Sequence, residues 1–171
     1  GLGKSRLLFE FDHWLELRPE AVWFFHGRAQ PYGHNIPYGL LRDLFAWRFE
    51  ILDSDSQAVA QAKLAQGFGA LFGERAEEQT ALIGELMGLD YSQSPFIAGI
   101  AQDARQIRDR AFHAGAQYFR LLHQSTGSPI VLLLDDLHWA DDGSLDFVNH
   151  LLQACKDLPL MVLCLTRPTL Y

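Results

Sequence analysis

Apolar residues along the chain follow two rhythms. Three stretches are short and nearly continuous: Ala21-Val22-Trp23-Phe24-Phe25-His26, Ile130 to Leu134, and Leu160 to Thr166. Short apolar runs that are bounded by turn residues and rich in β-branched or aromatic side chains predict strands buried on both faces, as in a parallel sheet. Gly27 is expected to stop the first run, Ser125-Thr126-Gly127-Ser128-Pro129 to lead into the second, and Pro159 to precede the third. Elsewhere the spacing is helical. Leu7, Leu8, Phe11, Trp14 and Leu15 share one face of a helix that ends before Pro19.

From Leu40 to Gln124 helix is predicted almost throughout. One stripe is Leu41, Leu44, Phe45, Phe49 and Leu52; a second is Ala58, Ala62, Ala65, Phe68 and Phe72; a third is Leu82, Ile83, Leu86 and Met87. Gly73 and Gly88 stand where helices would end. A long helix is expected within 95–124, with Asp103, Arg105, Arg108, Asp109 and Arg110 on a solvated face and Ile107, Ala111, Ala114, Tyr118 and Leu121 toward the core. Ser144 is expected to cap a last helix whose Leu145, Val148, Leu152 and Cys155 share a face. The alternation predicts an α/β architecture: a parallel sheet flanked by helices, with a helical insertion between the runs at 21–26 and 130–134.

Composition narrows the picture. At 171 residues, 49% hydrophobic, the chain has about the length of one domain and ample material for a core. A net charge of −7 argues against a nucleic-acid groove, which needs clustered Lys and Arg. Cys155 and Cys164 both lie in apolar stretches and are expected to be small core residues. No run approaches the roughly 18 apolar residues of a membrane span, and no signal peptide is visible, so a reduced, cytoplasmic setting is the default expectation. Both ends are expected to be cut: no Met starts the chain, and it opens inside a motif.

That motif is Gly1-Leu2-Gly3-Lys4-Ser5, whose last three residues supply the end of G-x-x-x-x-G-K-[ST], a phosphate-binding loop. Gly3 lets backbone approach phosphate oxygens, Lys4 reaches the β- and γ-phosphates, the Ser5 hydroxyl ligates magnesium, and the following helix offers its N-terminal N–H groups to the anion. At the far side of the chain, Ile130 to Leu134 runs straight into Asp135 and Asp136. Asp is rarely buried without a partner, and ligands of open parallel sheets bind at the carboxyl ends of strands. The pair thus has the form of a Walker B segment: one Asp for magnesium, the next for the attacking water. Thr166 and Arg167 end the third strand, where Arg167 is a candidate sensor of the γ-phosphate. Between the first strand and the helices, Pro31-Tyr32-Gly33 is echoed by Pro37-Tyr38-Gly39, read as two turns. Arg28 and His34 are read as solvated loop side chains in preference to nucleotide contacts.

With these residues, the chain resembles a P-loop ATPase domain of the STAND branch, related to AAA-type ATPases. Similar modules occur in large multidomain bacterial signalling proteins: adenylate or guanylate cyclases fused to an ATPase, LuxR-type transcription regulators, and kinase-linked regulators with helical repeats. The resemblance is carried by Gly3-Lys4-Ser5-Arg6-Leu7, by the loop from Gly27-Arg28 to Pro37-Tyr38, by Leu134-Asp135-Asp136-Leu137-His138-Trp139-Ala140-Asp141, and by Leu165-Thr166-Arg167-Pro168. It implies ATP and Mg2+ as cofactors. Gly1, Gly3, Lys4, Ser5 and Arg6 would hold the nucleotide, with Ser5 and Asp135 at the metal. Asp136 would act on the attacking water and Arg167 would sense the γ-phosphate. His138 and Trp139 are hallmarks with no derivable task, packing being the better account of Trp139.

The family's phosphate loop opens with a Gly and a strand that this chain lacks, and its helical lid follows the point where the chain stops. Residues 1–171 are therefore expected to be a single partial domain that binds ATP poorly by itself. The implied function is that of a regulatory switch in a multidomain signal-transduction or transcription-regulatory protein. Its partners would be neighbouring domains of the same chain (cyclase, kinase, helical-repeat or DNA-binding), with a nucleotide-dependent oligomer open, no membrane, and no direct nucleic-acid contact by this domain. A non-hydrolysing nucleotide-binding scaffold stays open as an alternative, and a P-loop kinase after it.

Overall fold

A run apolar from Ile130 to Leu134 is expected in the middle of a covered sheet, and β2 (Ile130–Asp135) sits there, buried along Ile130 to Leu134. The computed structural model describes residues 3–31 and 37–167. In it β2 is flanked by β1 (Trp23–Arg28) and β3 (Leu160–Cys164), all parallel, in the order β1-β2-β3. The register sets Trp23 opposite Ile130 and Arg28 opposite Asp135 on one side, and Ile130 opposite Leu160 and Leu134 opposite Cys164 on the other. Hydrogen bonding continues past the strand ends. Ala29 N–H donates to the Asp135 carbonyl (3.1 Å), Leu165 N–H to that of Leu134 (2.8 Å), and Leu137 N–H to that of Leu165 (2.9 Å). The carboxyl end of β2 is thereby fixed from both sides.

Parallel neighbours require crossovers. The β1–β2 crossover is the helical insertion: α2 (Gly39–Arg48), α3 (Gln57–Phe72), a 3-10 turn Gly73–Arg75, α4 (Ala76–Leu86), the short α5 (Pro95–Ala98) and α6 (Ala104–Thr126). The β2–β3 crossover is α7 (Asp142–Ala154), and α1 (Lys4–Glu16) precedes the sheet. Phe25, Ile130, Leu132 and Leu134 pack under the insertion, where Phe45, Phe68, Tyr118 and Phe119 form an aromatic cluster with ring centroids 5.0–6.3 Å apart. No helix among the described residues is long and apolar enough to cross a membrane.

Several expected boundaries move, each for a local reason. β1 does not stop at Gly27 but runs through it to Arg28. A Cβ at Gly27 would stand 3.2 Å from Leu40 Cδ1, so the glycine admits α2 close against the strand. Leu52 lies outside α2, 60% exposed, because Glu50 takes a left-handed conformation (φ 55°) just beyond the helix end. In α3 the buried row is Ala60, Leu64, Phe68 and Phe72, while Ala58, Ala62 and Ala65 face solvent. The long helix is split at Asp103, which caps α6 by accepting from Gln106 N–H (2.9 Å). In α7 the buried row is Ser144, Phe147, Leu151 and Cys155; Leu145 and Leu152 are exposed.

Other expectations concern the flank of β3. This strand is only partly covered, with Met161 49% exposed, and Cys164 is exposed rather than a core residue. α1 forms where the spacing places it but is lightly seated. Phe11, Trp14 and Leu15 border a groove with Val131, Leu160 and Met161, while Leu7 and Phe9 face solvent.

α6 and α7 cross at Gly115, where a Cβ would stand 2.6 Å from Cε2 of the buried Phe147 ring. Gly115→Ala gains up to about 1 kcal/mol of helix propensity but overpacks the crossing, which typically costs about 1–3 kcal/mol. The net expectation is a lower urea midpoint with an unchanged denaturant slope.

Candidate functional site

The carboxyl end of β2 presents two carboxylates in different surroundings. Asp135, opposite Arg28 in the register, accepts the backbone N–H of Asp136 on Oδ1 (2.7 Å) and keeps Oδ2 3.9 Å from Arg28 Nε. Asp136 turns the chain in a left-handed conformation (φ 52°), one that Asp adopts more readily than most residues. Its side chain is 9% exposed, and a carboxylate so withdrawn from water needs donors. Arg28 supplies two, Nε at 3.2 Å and Nη2 at 3.0 Å, both to Oδ2. Arg28 is thus neither in a loop nor merely solvated. It is the last residue of β1, 57% exposed at its side chain, reaching across the sheet to Asp136.

Arg28 is itself held from behind. Its backbone N–H donates to Asp43 Oδ2 (2.7 Å) on the second turn of α2. Burial raises the Asp43 pKa above its ordinary 3.8, with that N–H and the nearby His26 and Arg28 charges acting against it. α2 is anchored in turn by Asp141. Oδ1 of Asp141 accepts from the N–H groups of Tyr38 (2.9 Å) and Ser144 (2.9 Å), and Oδ2 from Gly39 N–H (3.0 Å) and the Ser144 hydroxyl (2.6 Å). Leu40 N–H donates to Ser144 Oγ (3.2 Å). One carboxylate therefore caps two helices, satisfying orphan N–H groups at the start of α2 and of α7. The cap of α7 is Asp141, and Ser144, expected in that role, is a buried part of the clamp. Pro37-Tyr38-Gly39 is the entry to α2, with Tyr38 left-handed at φ 60°.

Between the carboxylates and the clamp, Leu137–Trp139 forms a 3-10 turn. Trp139 packs against the core and lines a cavity of about 330 Å³ with Ala29, Gly39, Arg42, Asp43 and Asp141. The His138 ring lies 5.0 Å from that of Trp139, centroid to centroid, and both its nitrogens are buried without a hydrogen-bond partner.

The remaining sequence candidates lie at the start of α1 and beyond the end of β3. Gly1, together with Tyr32, Gly33 and His34 of the loop echo, lies outside the described residues. Gly3 precedes α1 in a left-handed conformation (φ 79°), with nothing within 4 Å of where a Cβ would stand, so backbone there is open to a phosphate. Lys4 and Ser5 begin α1, their side chains outside the described set; Arg6 is 85% exposed at its side chain and 3.7 Å from Glu10. Arg167 is exposed, three residues beyond the end of β3 at Cys164. No group of three or more metal-ligating His, Cys, Asp or Glu occurs among the described residues. One carboxylate and one hydroxyl nevertheless suit magnesium, which keeps most of its waters and takes phosphate oxygens as further ligands.

Arg28, Asp43 and Asp141 carry this site; Arg28 was weighed as a nucleotide contact and read as a solvated side chain, while Asp43 and Asp141 were given no site role. Asp141 had a legible signal, since Asp followed by Ser three residues on, ahead of an apolar helix, is a capping pattern. For Asp43 there was none. A family model described as an AAA ATPase domain matches residues 1–163. No curated protein and no solved structure matches the chain.

Asp141→Ala should lower stability by about 2–4 kcal/mol, beyond the usual ~0.5–2 of a single cap, because donors of two helices lose their acceptor. Asp141→Asn retains one acceptor oxygen and should cost about half as much. Burial is the largest single influence on Asp141 and pushes its pKa up, but the hydrogen bonds from Ser144, Tyr38 and Gly39 together hold it below 3.8. Its contribution is then present above pH 3.8 and lost as pH falls through the lower folded value. Urea unfolding across that window should show a shallower acid decline for Asp141→Ala.

Proposed function

Because the chain belongs to the AAA ATPase domain family, we propose that this nucleotide-binding ATPase module is an ATP-hydrolysing switch in a multidomain signal-transduction or transcription-regulatory protein. The observation that carries the reading is the Asp135–Asp136 pair at the carboxyl end of the central parallel strand, one carboxylate partly open and the other buried against Arg28. Lys4 and Ser5 would hold the phosphates and magnesium at the start of α1, with Gly1, Gly3 and Arg6 as the rest of that loop. Asp135 would be the carboxylate at the metal, and Arg167 would report on the γ-phosphate from beyond the end of β3. Bound there, magnesium supplies neutralisation of phosphate charge.

Asp136 orients a water molecule and draws its proton as the water oxygen bonds to the γ-phosphorus and the bond to the bridging oxygen breaks, giving ADP and phosphate. In the present arrangement Oδ2 of Asp136 is saturated by two N–H donors of Arg28. Pairing with a cation stabilises the charged form and makes a carboxylate a poorer base. Hydrolysis is thus slow while Arg28 is engaged, which suits a switch whose neighbouring domains respond to nucleotide state. The same contact favours a second reading, a nucleotide-binding scaffold that does not hydrolyse.

Phosphate release and nucleotide binding by the full-length protein distinguish the two. Asp136→Asn should keep ATP binding and lower turnover by about 100-fold or more, the scale of a lost general base, whereas Lys4→Ala should abolish binding. Normal hydrolysis by both variants sinks the ATPase assignment of these residues. Binding without any phosphate release in the unaltered protein selects the scaffold.

A further inference from the structure

Arg48 ends α2 at the opposite end of the sheet from Asp135 and Asp136, beside Trp23, the first residue of β1. Trp23 lies five residues before Arg28, about 16 Å along an extended strand. The Arg48 guanidinium sits over the rings of Trp23 (5.0 Å to the centroid) and Phe25 (5.7 Å). Its Nε is buried with no hydrogen-bond partner, and among the described residues no carboxylate forms an ion pair with it. A withdrawn cationic N–H without an acceptor is unfavourable. The aromatic faces offset part of that cost and hold the planar group in one orientation.

The same side chain walls a cavity of about 420 Å³, shared with Phe49, Lys63, Ala70, Leu71 and Tyr118, within the ~300–1,000 Å³ range of small-molecule sites. Several other polar groups there are engaged, the Tyr118 hydroxyl with Arg48 itself. Lys63 Nζ lies 2.7 Å from Asp55 Oδ2 and 2.6 Å from the Glu50 carbonyl, and the Trp23 indole N–H donates to Thr126 Oγ1 (2.9 Å). Glu50 stands at the exposed rim, where its charge disfavours a dianion. The Arg48 guanidinium thus meets the Tyr118 hydroxyl but no carboxylate among the described residues, and its Nε has no hydrogen-bond partner.

We infer that this cavity binds a small monocarboxylate with an apolar or aromatic body, its carboxylate on Arg48 and its body against Phe49, Ala70 and Leu71. A guanidinium fork matches a carboxylate in geometry and charge, and a concave cavity of this size suits a small molecule better than a protein surface. The site stands independently of the nucleotide reading.

The test is a titration of the 15N-labelled chain with benzoate and with 4-methylpentanoate, followed at the Trp23 indole N–H and the backbone amides of Arg48, Phe49, Ala70 and Leu71. At least one of the two should give saturable shifts confined to these positions, with benzyl alcohol and inorganic phosphate giving none. Arg48→Gln should weaken binding at least tenfold. Ala70→Trp, which fills the cavity from an exposed helix position and leaves Arg48 intact, should do the same and serves if Arg48→Gln fails to fold. Shifts that never saturate, equal shifts from benzyl alcohol or phosphate, or undiminished binding by folded Ala70→Trp would overturn the site. So would saturation by an acidic peptide where neither carboxylate binds.

Discussion

Withdrawing a carboxylate from water costs several kcal/mol unless other donors replace its hydration. Asp136, 6% exposed, sits at a strand end where main-chain donors are already committed to the ladder. A cation from the neighbouring strand meets that demand. Arg28 can reach Asp136 only because β1 continues past Gly27, and β1 lies so close to α2 only because Gly27 has no side chain. The backbone of Arg28 is then fixed by Asp43, and the helix bearing Asp43 is fixed by Asp141. The contacts form a closed ring from Asp136 through Arg28, α2 and Asp141 back along the chain to Asp136. Loosening any one link changes the geometry of the others.

α2 is the rigid member of that ring. Ten residues of helix span about 15 Å. One end is clamped to Asp141, the second turn holds Arg28, and the last residue is Arg48, whose Nε has no hydrogen-bond partner. A charge bound at Arg48 and a carboxylate released by Arg28 would be felt by the same rod. Such a connection is a physical route for coupling between two ends of a parallel sheet, because a packed helix moves as a unit rather than deforming along its length.

The strands, their parallel arrangement and the helical nature of the insertion were legible because apolar run length and 3.6-residue spacing are local properties. What was not legible depended on long-range pairing. Arg28 and Asp136 lie 108 residues apart and meet through strand register, which no local pattern encodes. The row in α3 was misread because alanine carries little preference between faces, and Leu64 with Ala60 decides the outcome. The row in α7 was displaced by one residue because its cap also serves α2, a demand made from across the fold. Cys164 was misplaced since an apolar strand sequence does not reveal whether both faces are covered.

That last point bears on handling. β3 pairs with β2 on one side, and among the described residues no strand pairs with its other edge. An open apolar edge carrying exposed Met161 and Cys164, beside a loosely seated α1, is a template for adding strands from other molecules. The net charge of −7 opposes such stacking by mutual repulsion, but salt screens that repulsion within about 10 Å at 0.1 M. Where that edge is free, high salt weakens this repulsion, and a disulfide between two exposed Cys164 thiols would make an edge contact covalent.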